Sequence, residues 1–211
     1  QITVENLQRV RSQAPEQFDE VFRESTETLL AELSNLKTII GRFSEFATMP
    51  PPRFEEVSLN ETVRRSARLF EAQLRSGKSP PVSLDLNLAD EAGVVQADPE
   101  QLNRALQNLM LNAIDAMPSS GTLTIRTSRT EGSVVLEVSD TGEGLTPEEC
   151  ERLFTPYYTT RQHGTGLGLA IVQSVVSDHK GRITVEGERG KGATFRIELP
   201  ASRTDGPGNI Q

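Results

Sequence analysis

Residues 108–116, Asn108-Leu109-Met110-Leu111-Asn112-Ala113-Ile114-Asp115-Ala116, read as a helix with two unlike faces. Asn108, Asn112 and Asp115 fall at i, i+4 and i+7 and share one side, away from an apolar stripe of Leu102, Leu106, Leu109, Ala113 and Met117. Just upstream, Asp98-Pro99-Glu100-Gln101 supplies a helix start, with Asp as N-cap, Pro in the first helical position and Gln in the third. A polar face on a lone helix is ordinarily a solvated one. Amide and carboxylate oxygens are also the ligands Mg²⁺ accepts, one or two protein groups at a time beside phosphates and water.

Three glycine clusters lie downstream. Asp140-Thr141-Gly142-Glu143-Gly144 follows directly on a strand, Gly164-Thr165-Gly166-Leu167-Gly168 leads into a helix, and Gly190-Lys191-Gly192-Ala193-Thr194 separates the last two strands. Glycine permits positive φ and lets backbone N–H groups approach an anion. A helix starting just after Gly168 adds a positive dipole end that suits phosphate. Any one cluster alone reads as a tight turn. Three in this order are much harder to dismiss as turns.

The rest of the chain is organised around these elements. Residues 16–48 carry Phe18, Val21, Phe22, Leu29, Leu33, Leu36, Ile39, Ile40, Phe43 and Phe46 at helical spacing, a helix roughly 50 Å long. Its single apolar stripe needs a partner, and residues 2–12 are expected to supply part of one across a turn at Ala14-Pro15. Met49-Pro50-Pro51-Pro52 ends the helix and marks a domain boundary. Leu59, Val63, Ala67, Phe70 and Leu74 then predict a helix, and Val82, Leu84, Leu86 and Leu88 a half-buried strand. Strands at Leu123–Thr127 and Val134–Val138 are joined through Glu131-Gly132, and Thr146-Pro147-Glu148-Glu149 is a second capping box opening a short helix to Leu153. A helix to about His179 and strands at 182–186 and 193–199 complete the pattern.

Composition sets limits on function. The chain has 211 residues, 35% hydrophobic and 5% aromatic with no Trp, so its core is aliphatic. With 22 basic against 30 acidic residues, the net charge of −8 argues against nucleic acid as a partner. No apolar run approaches a bilayer span and no signal peptide opens the chain. The single cysteine, Cys150, excludes an intrachain disulfide and, among acidic neighbours that raise its pKa, is not expected to be reactive. These features predict a soluble, cytoplasmic chain, a location compatible with an inner-membrane anchor elsewhere in the parent protein.

The ordered set of motifs resembles the catalytic and ATP-binding domain of bacterial sensor histidine kinases. In that family the motifs are the N box (108–116 here), the DxGxG box (140–144), the F box Phe154-Thr155-Pro156-Tyr157-Tyr158, the GTGLGL box (164–169) and a final glycine turn (190–194). The resemblance covers residues 55–200, its ordered boxes are highly specific, and NLMLNAIDAM with FTPYYTT looks most like the nitrogen-regulation type. It implies an α+β fold: a partial dimerisation and phosphoacceptor helical hairpin over 1–49, a linker at 50–54 and a two-layer α/β sandwich with a mixed sheet over 55–200; the end of the chain, 201–211, whose polar Arg203–Gln211 stretch holds two glycines and a proline, is expected to be a disordered tail. ATP and Mg²⁺ are the implied cofactors. Asn112 is the implied metal ligand, with Asn108 assisting near the phosphates. Asp140 accepts a hydrogen bond from the adenine amino group, with Gly142 and Gly144 passing close to the ring. Residues 155–166 form a mobile lid with Arg161 near the terminal phosphate. Gly164, Gly166 and Gly168 line the phosphate path, and Asp115, Thr159, Thr165, Leu167 and Thr194 complete the nucleotide contacts. The implied partners are ATP or ADP, a response-regulator receiver domain, and a second copy joined through a four-helix bundle.

One departure is large. The family phosphorylates a histidine on the first hairpin helix, whereas the histidines here are His163, inside the lid, and His179, which ends a helix and reads as structural. The resemblance places the phosphoacceptor upstream of Gln1. Other readings are weaker. Hydrolysing relatives of the same fold carry a Glu where Asn108 stands, and an amide cannot serve as a general base at neutral pH. A decayed scaffold would have lost glycine or metal positions, and the boxes are intact. Gly77-Lys78-Ser79 fails as a P-loop because Ala72 stands where a Gly is required. Lys191 reads as a solvated turn lysine.

Overall fold

The computed structural model describes residues 18–47, 50–74, 81–90, 92–160 and 164–202. The partner segment 2–12, the Gly77-Lys78-Ser79 loop, Arg161, His163 and the tail from 203 onward lie outside the described residues. Two compact units divide the chain, one of residues 1–49 with 161–165 and the other of the remainder. The first unit is built on α1 (Phe18–Ala47). Five members of its apolar stripe, Phe22, Leu29, Leu33, Leu36 and Ile40, are 43–64% exposed.

The second unit runs β1 (Glu55–Ser58), α2 (Leu59–Leu74), β2 (Val82–Leu88), β3 (Val94–Ala97), α3 (Pro99–Asp115), β4 (Gly121–Thr130), β5 (Ser133–Asp140), α4 (Pro147–Arg152), α5 (Gly168–Asp178), β6 (Arg182–Glu188) and β7 (Gly192–Pro200). The main sheet has the order β2-β4-β5-β7-β6. Only β2 and β4 run parallel, which requires a crossover, and α3 lies in that crossover. The core forms between the sheet and its helices: Leu123, Ile125, Val138, Phe195 and Ile197 from the strands meet Leu106, Leu109, Met110, Ile171 and Val175 from α3 and α5. Replacing a fully buried member such as Leu109 by Ala would cost about 2–5 kcal/mol.

β1 and β3 were not legible in the sequence. They are four residues each and form a separate antiparallel pair; β3 buries alternate residues, but its sequence Val-Val-Gln-Ala does not alternate apolar with polar. The tail expectation needs a correction at its start. Ala201 and Ser202 are ordered on β3: Ala201 N–H donates to Gly132 O at 2.9 Å and Ser202 N–H to Val94 O at 3.0 Å. The carbonyl of Gly132 in the β4–β5 turn and that of Val94 on β3 hold the chain two residues past β7.

Residues 50–54 are tied to the start of α3. Gln101 Nε2 donates to Pro50 O at 2.9 Å, and Arg53 N–H donates to Asp98 Oδ2 at 2.8 Å. Asp98 Oδ1 accepts from Glu100 and Gln101, as an N-cap should. Asp98 N–H donates to His179 Nε2 at 2.8 Å, so Nδ1 carries the ring proton and donates to Val175 O at 2.7 Å. His179 is 3% exposed and meets the Phe54 ring edge-on at 5.3 Å. It is structural.

Burial pushes the Asp98 carboxyl up, but the N–H groups of Arg53, Gln101 and Glu100 outweigh burial and hold it below the ordinary carboxylate value. Its contribution to stability is therefore complete above about pH 5 and fades as acidification passes the ordinary carboxylate value toward the lowered folded-state one. Asp98→Asn keeps a capping side chain without the charge. It should cost about 1 kcal/mol at pH 7 and flatten the loss of stability between pH 5 and 3, as read by urea unfolding. An unchanged acid limb would refute the assignment.

Candidate functional site

The site begins where α3 and α5 meet. The stripe that includes Leu109, Met110 and Ala113 fixes the rotation of α3, leaving Asn108 and Asn112 half-buried on its flank and Asp115 exposed. Asn108 Nδ2 donates to Arg104 O at 3.0 Å, and its Oδ1 faces Gly168. A Cβ built on Gly168 would lie 3.2 Å from Asn108 Oδ1 and 3.9 Å from Asn112 Nδ2. Buried Leu167 anchors the start of α5, and no side chain caps the helix. A helix of 11 residues thus presents its first N–H groups and positive dipole end beside two carboxamides. This arrangement can hold an anion. The carboxamide oxygens are hard donors of the kind a phosphate-bound divalent cation accepts, so the residues present fit Mg²⁺. Among the described residues no three His, Cys, Asp or Glu form a metal cage.

The second part of the site is the loop after β5. Asp140 is 8% exposed, and its Oδ1 accepts from Gly142 N–H at 2.9 Å, an Asx turn that sets the carboxylate's rotation. The glycines of this loop meet the protein's own backbone. A Cβ on Gly142 would stand 2.4 Å from Ala116 O, the carbonyl that also accepts from Glu143 N–H at 3.0 Å. Gly144, at φ +66°, would place a Cβ 1.9 Å from Glu188 O. The loop is therefore wedged between the end of α3 and the β6–β7 turn.

Thr194 requires a correction. Strand alternation puts Ala193, Phe195 and Ile197 on the helical face with Asp140, and Ala193 is the residue paired with Asp140. Thr194 points to the opposite face of the sheet, where its hydroxyl donates to Ser139 Oγ at 2.9 Å. It does not reach a ligand beside α3.

The expected lid also narrows. Thr155 N–H donates to Arg152 O and Tyr158 N–H to Thr155 O, so 155–157 continue the turn after α4. Tyr157 N–H donates to Gly166 O at 3.0 Å, and both residues have positive φ, 67° and 65°. For Tyr157 that conformation costs about 1–2 kcal/mol. A Cβ on Gly166 would overlap the Tyr157 backbone at 2.4 Å, which is why a glycine stands there. The segment between these two residues is 158–165; Thr159 is exposed, Gly164 and Thr165 group outside the unit that holds the asparagines, and Arg161 is outside the described residues.

The sequence missed what lies around α4. Thr146 and Glu149 form the predicted capping box, and Glu149 Oε1 also accepts from Arg189 Nη2 at 3.0 Å. Burial first, and then Glu149, push the Cys150 thiol above its ordinary value, away from reactivity. Lys191 pairs with Glu188 at 2.8 Å on the exposed turn, a solvated lysine as read.

The family described as histidine kinase-, DNA gyrase B-, and HSP90-like ATPase matches residues 97–203, which hold both halves of this site. The sensor histidine kinase ZraS of Salmonella typhi is 34% identical over 178 residues, covering 84% of this chain and 38% of that protein. The nitrogen regulation protein NtrY of Azorhizobium caulinodans is 32% identical over 209 residues, 95% of this chain and 26% of its own length. The two identities are alike, so similarity does not single out the nitrogen-regulation type. The histidine kinase ThkA, solved in complex with response regulator protein TrrA, superposes with a TM-score of 0.68 at 26% identity, over 90% of this chain and 52% of that one. The chain spans less than half the length of the curated relatives named here.

Proposed function

Since the chain belongs to the family of histidine kinase-, DNA gyrase B- and HSP90-like ATPases and carries the catalytic domain of a sensor histidine kinase, we propose that it binds ATP at the junction of α3 and α5 for transfer of the γ-phosphoryl to a histidine and onward to a response-regulator aspartate. The observation that carries this reading is the uncapped start of α5 at Gly168, facing Asn108 and Asn112. Phosphate oxygens would accept from the first N–H groups of α5. Asn112, with Asn108 beside it, would hold Mg²⁺, which when bound neutralises phosphate charge. Asp140, fixed by Gly142 N–H, would accept from the adenine amino group.

The residues favour transfer over hydrolysis. Asn108 offers no basic atom to activate water at neutral pH. Nor is His179 the phosphoacceptor, because it is buried with both ring nitrogens engaged. The acceptor histidine is proposed to stand on the helix that pairs with α1, and the exposed stripe of α1 is proposed to close a four-helix bundle with a second copy. Among the described residues no helix is long and apolar enough to cross a membrane.

Calorimetric titration with ADP and with a non-hydrolysable ATP analogue, with and without Mg²⁺, tests the nucleotide reading. The expected result is a Kd of about 1–100 µM for both, tighter with Mg²⁺. Absence of binding would return the glycine clusters to simple turns.

A further inference from the structure

The turn between β6 and β7 is interlocked with the loop that carries Asp140. A Cβ on Gly192, at φ +89°, would stand 1.9 Å from Asp140 O, and one on Gly144 would stand 1.9 Å from Glu188 O. Gly190 N–H donates to Glu143 O at 2.8 Å. Beyond the loop, a Cβ on Gly187 would meet Leu145 Cβ at 3.0 Å. Backbone thus lies directly on backbone from Asp140 to Gly144, and a displacement of the turn displaces the loop.

These contacts and the Gly190–Glu143 hydrogen bond are made by backbone alone and set how closely the two segments approach. Arg189, in the middle of the turn, supplies what the glycines lack. Its guanidinium donates to Glu149 Oε1 at 3.0 Å. The Glu149 side chain is only 12% exposed, and its other oxygen accepts from Thr146 N–H at 2.8 Å, closing the capping box at the far end of the Asp140 loop. The turn's other cation, Lys191, pairs within the turn to Glu188. Arg189 and Glu149 therefore join the turn, the exit of the loop and the start of α4. The Asp140 carboxylate is held by an N–H of that same loop, so its aim follows the loop's path.

We propose that Arg189 and Glu149 are positioning residues for adenine recognition, holding the 140–144 loop so that the Asp140 carboxylate meets the base in one orientation. This rests on the reading of Asp140 as the acceptor for the adenine amino group. Neither residue touches the nucleotide. Their effect is confined to the interaction that depends on the direction of Asp140.

The test compares Mg²⁺-ADP with Mg²⁺-IDP, whose base carries a keto oxygen in place of the amino group. The wild type should prefer ADP. Arg189→Ala should weaken ADP about two- to fivefold, the range a half-exposed ion pair supplies, and leave IDP affinity unchanged. Glu149→Gln, which keeps an acceptor for the cap, should lower the ADP-to-IDP ratio in the same way, and Arg189→Lys should restore most of it. Thermal unfolding midpoints should stay close to wild type, since a purely structural role would weaken both nucleotides together. Parallel weakening of ADP and IDP, or an unchanged ratio, would overturn the positioning role. Asp140→Asn run alongside separates the two levels. If it abolishes the preference for ADP while Arg189→Ala preserves it, the positioning role alone is wrong. If the wild type shows no preference, or Asp140→Asn leaves it intact, the base reading falls and the proposal with it.

Discussion

Gly144→Ala is expected to abolish measurable ADP binding and to lower the unfolding midpoint by roughly 5–15 °C. Two costs combine. At φ +66° an alanine pays about 1–2 kcal/mol for the left-handed conformation. Its Cβ would also stand 1.9 Å from Glu188 O, a backbone atom that no side-chain rotation can clear. The 140–144 loop and the β6–β7 turn must separate, which costs about 1–3 kcal/mol more and moves Asp140 from its place. Gly132→Ala is the control, because it has φ +86° with nothing within 4 Å of the added atom. That variant should pay the conformational cost alone, shift the midpoint by a few degrees and bind ADP as the wild type does. Calorimetric unfolding with ADP titration reads both effects. Equal shifts in the two variants, or intact binding in Gly144→Ala, would mean that the interlock does not govern the loop.

Asn112→Ala is expected to remove the Mg²⁺-dependent part of nucleotide affinity, about tenfold or more, with the fold retained. The residue is half-buried on the flank of α3, and its removal leaves the stripe of Leu106, Leu109 and Met110 complete. Affinity without Mg²⁺ should change much less, because the N–H groups at the start of α5 remain. Circular dichroism and titrations with and without Mg²⁺ are the measurements. A Mg²⁺ effect as large in the variant as in the wild type would remove Asn112 from the cation's ligands.

The parts of this molecule that were legible in the sequence are those whose cause is local. The N-cap at Asp98 and the capping box at Thr146 repeat a fixed spacing, and the stripe from Leu102 to Met117 repeats a helical period, so all three read directly. The turn at Gly132 also lay within reach of its neighbours in the chain. What escaped was set by partners far away in sequence. Arg189 finds Glu149 across 40 positions, and Asp98 finds His179 across 81. Nothing in β1 or β3 announces a strand, because each is four residues long and takes its pairing from segments distant in sequence. The glycine clusters were seen, but their reason was legible only in part. Gly142, Gly144 and Gly192 are required by carbonyls of this chain whether or not a nucleotide is present. Thr194 was placed in the site by its nearness in sequence to Gly192, although one step along a strand reverses the face.

The His179–Asp98 bond has a mechanical consequence. α5 begins beside Asn108 and Asn112, in the second half of α3, and its final cap residue meets the residue that starts α3. The two helices form an antiparallel pair about 16 Å long, bolted at one end through a buried polar knot. At the opposite end the first N–H groups of α5, which no side chain caps, lie beside Asn108 and Asn112. A phosphate bound there would tie the two helices at that end as the Asp98–His179 bond ties them at the other.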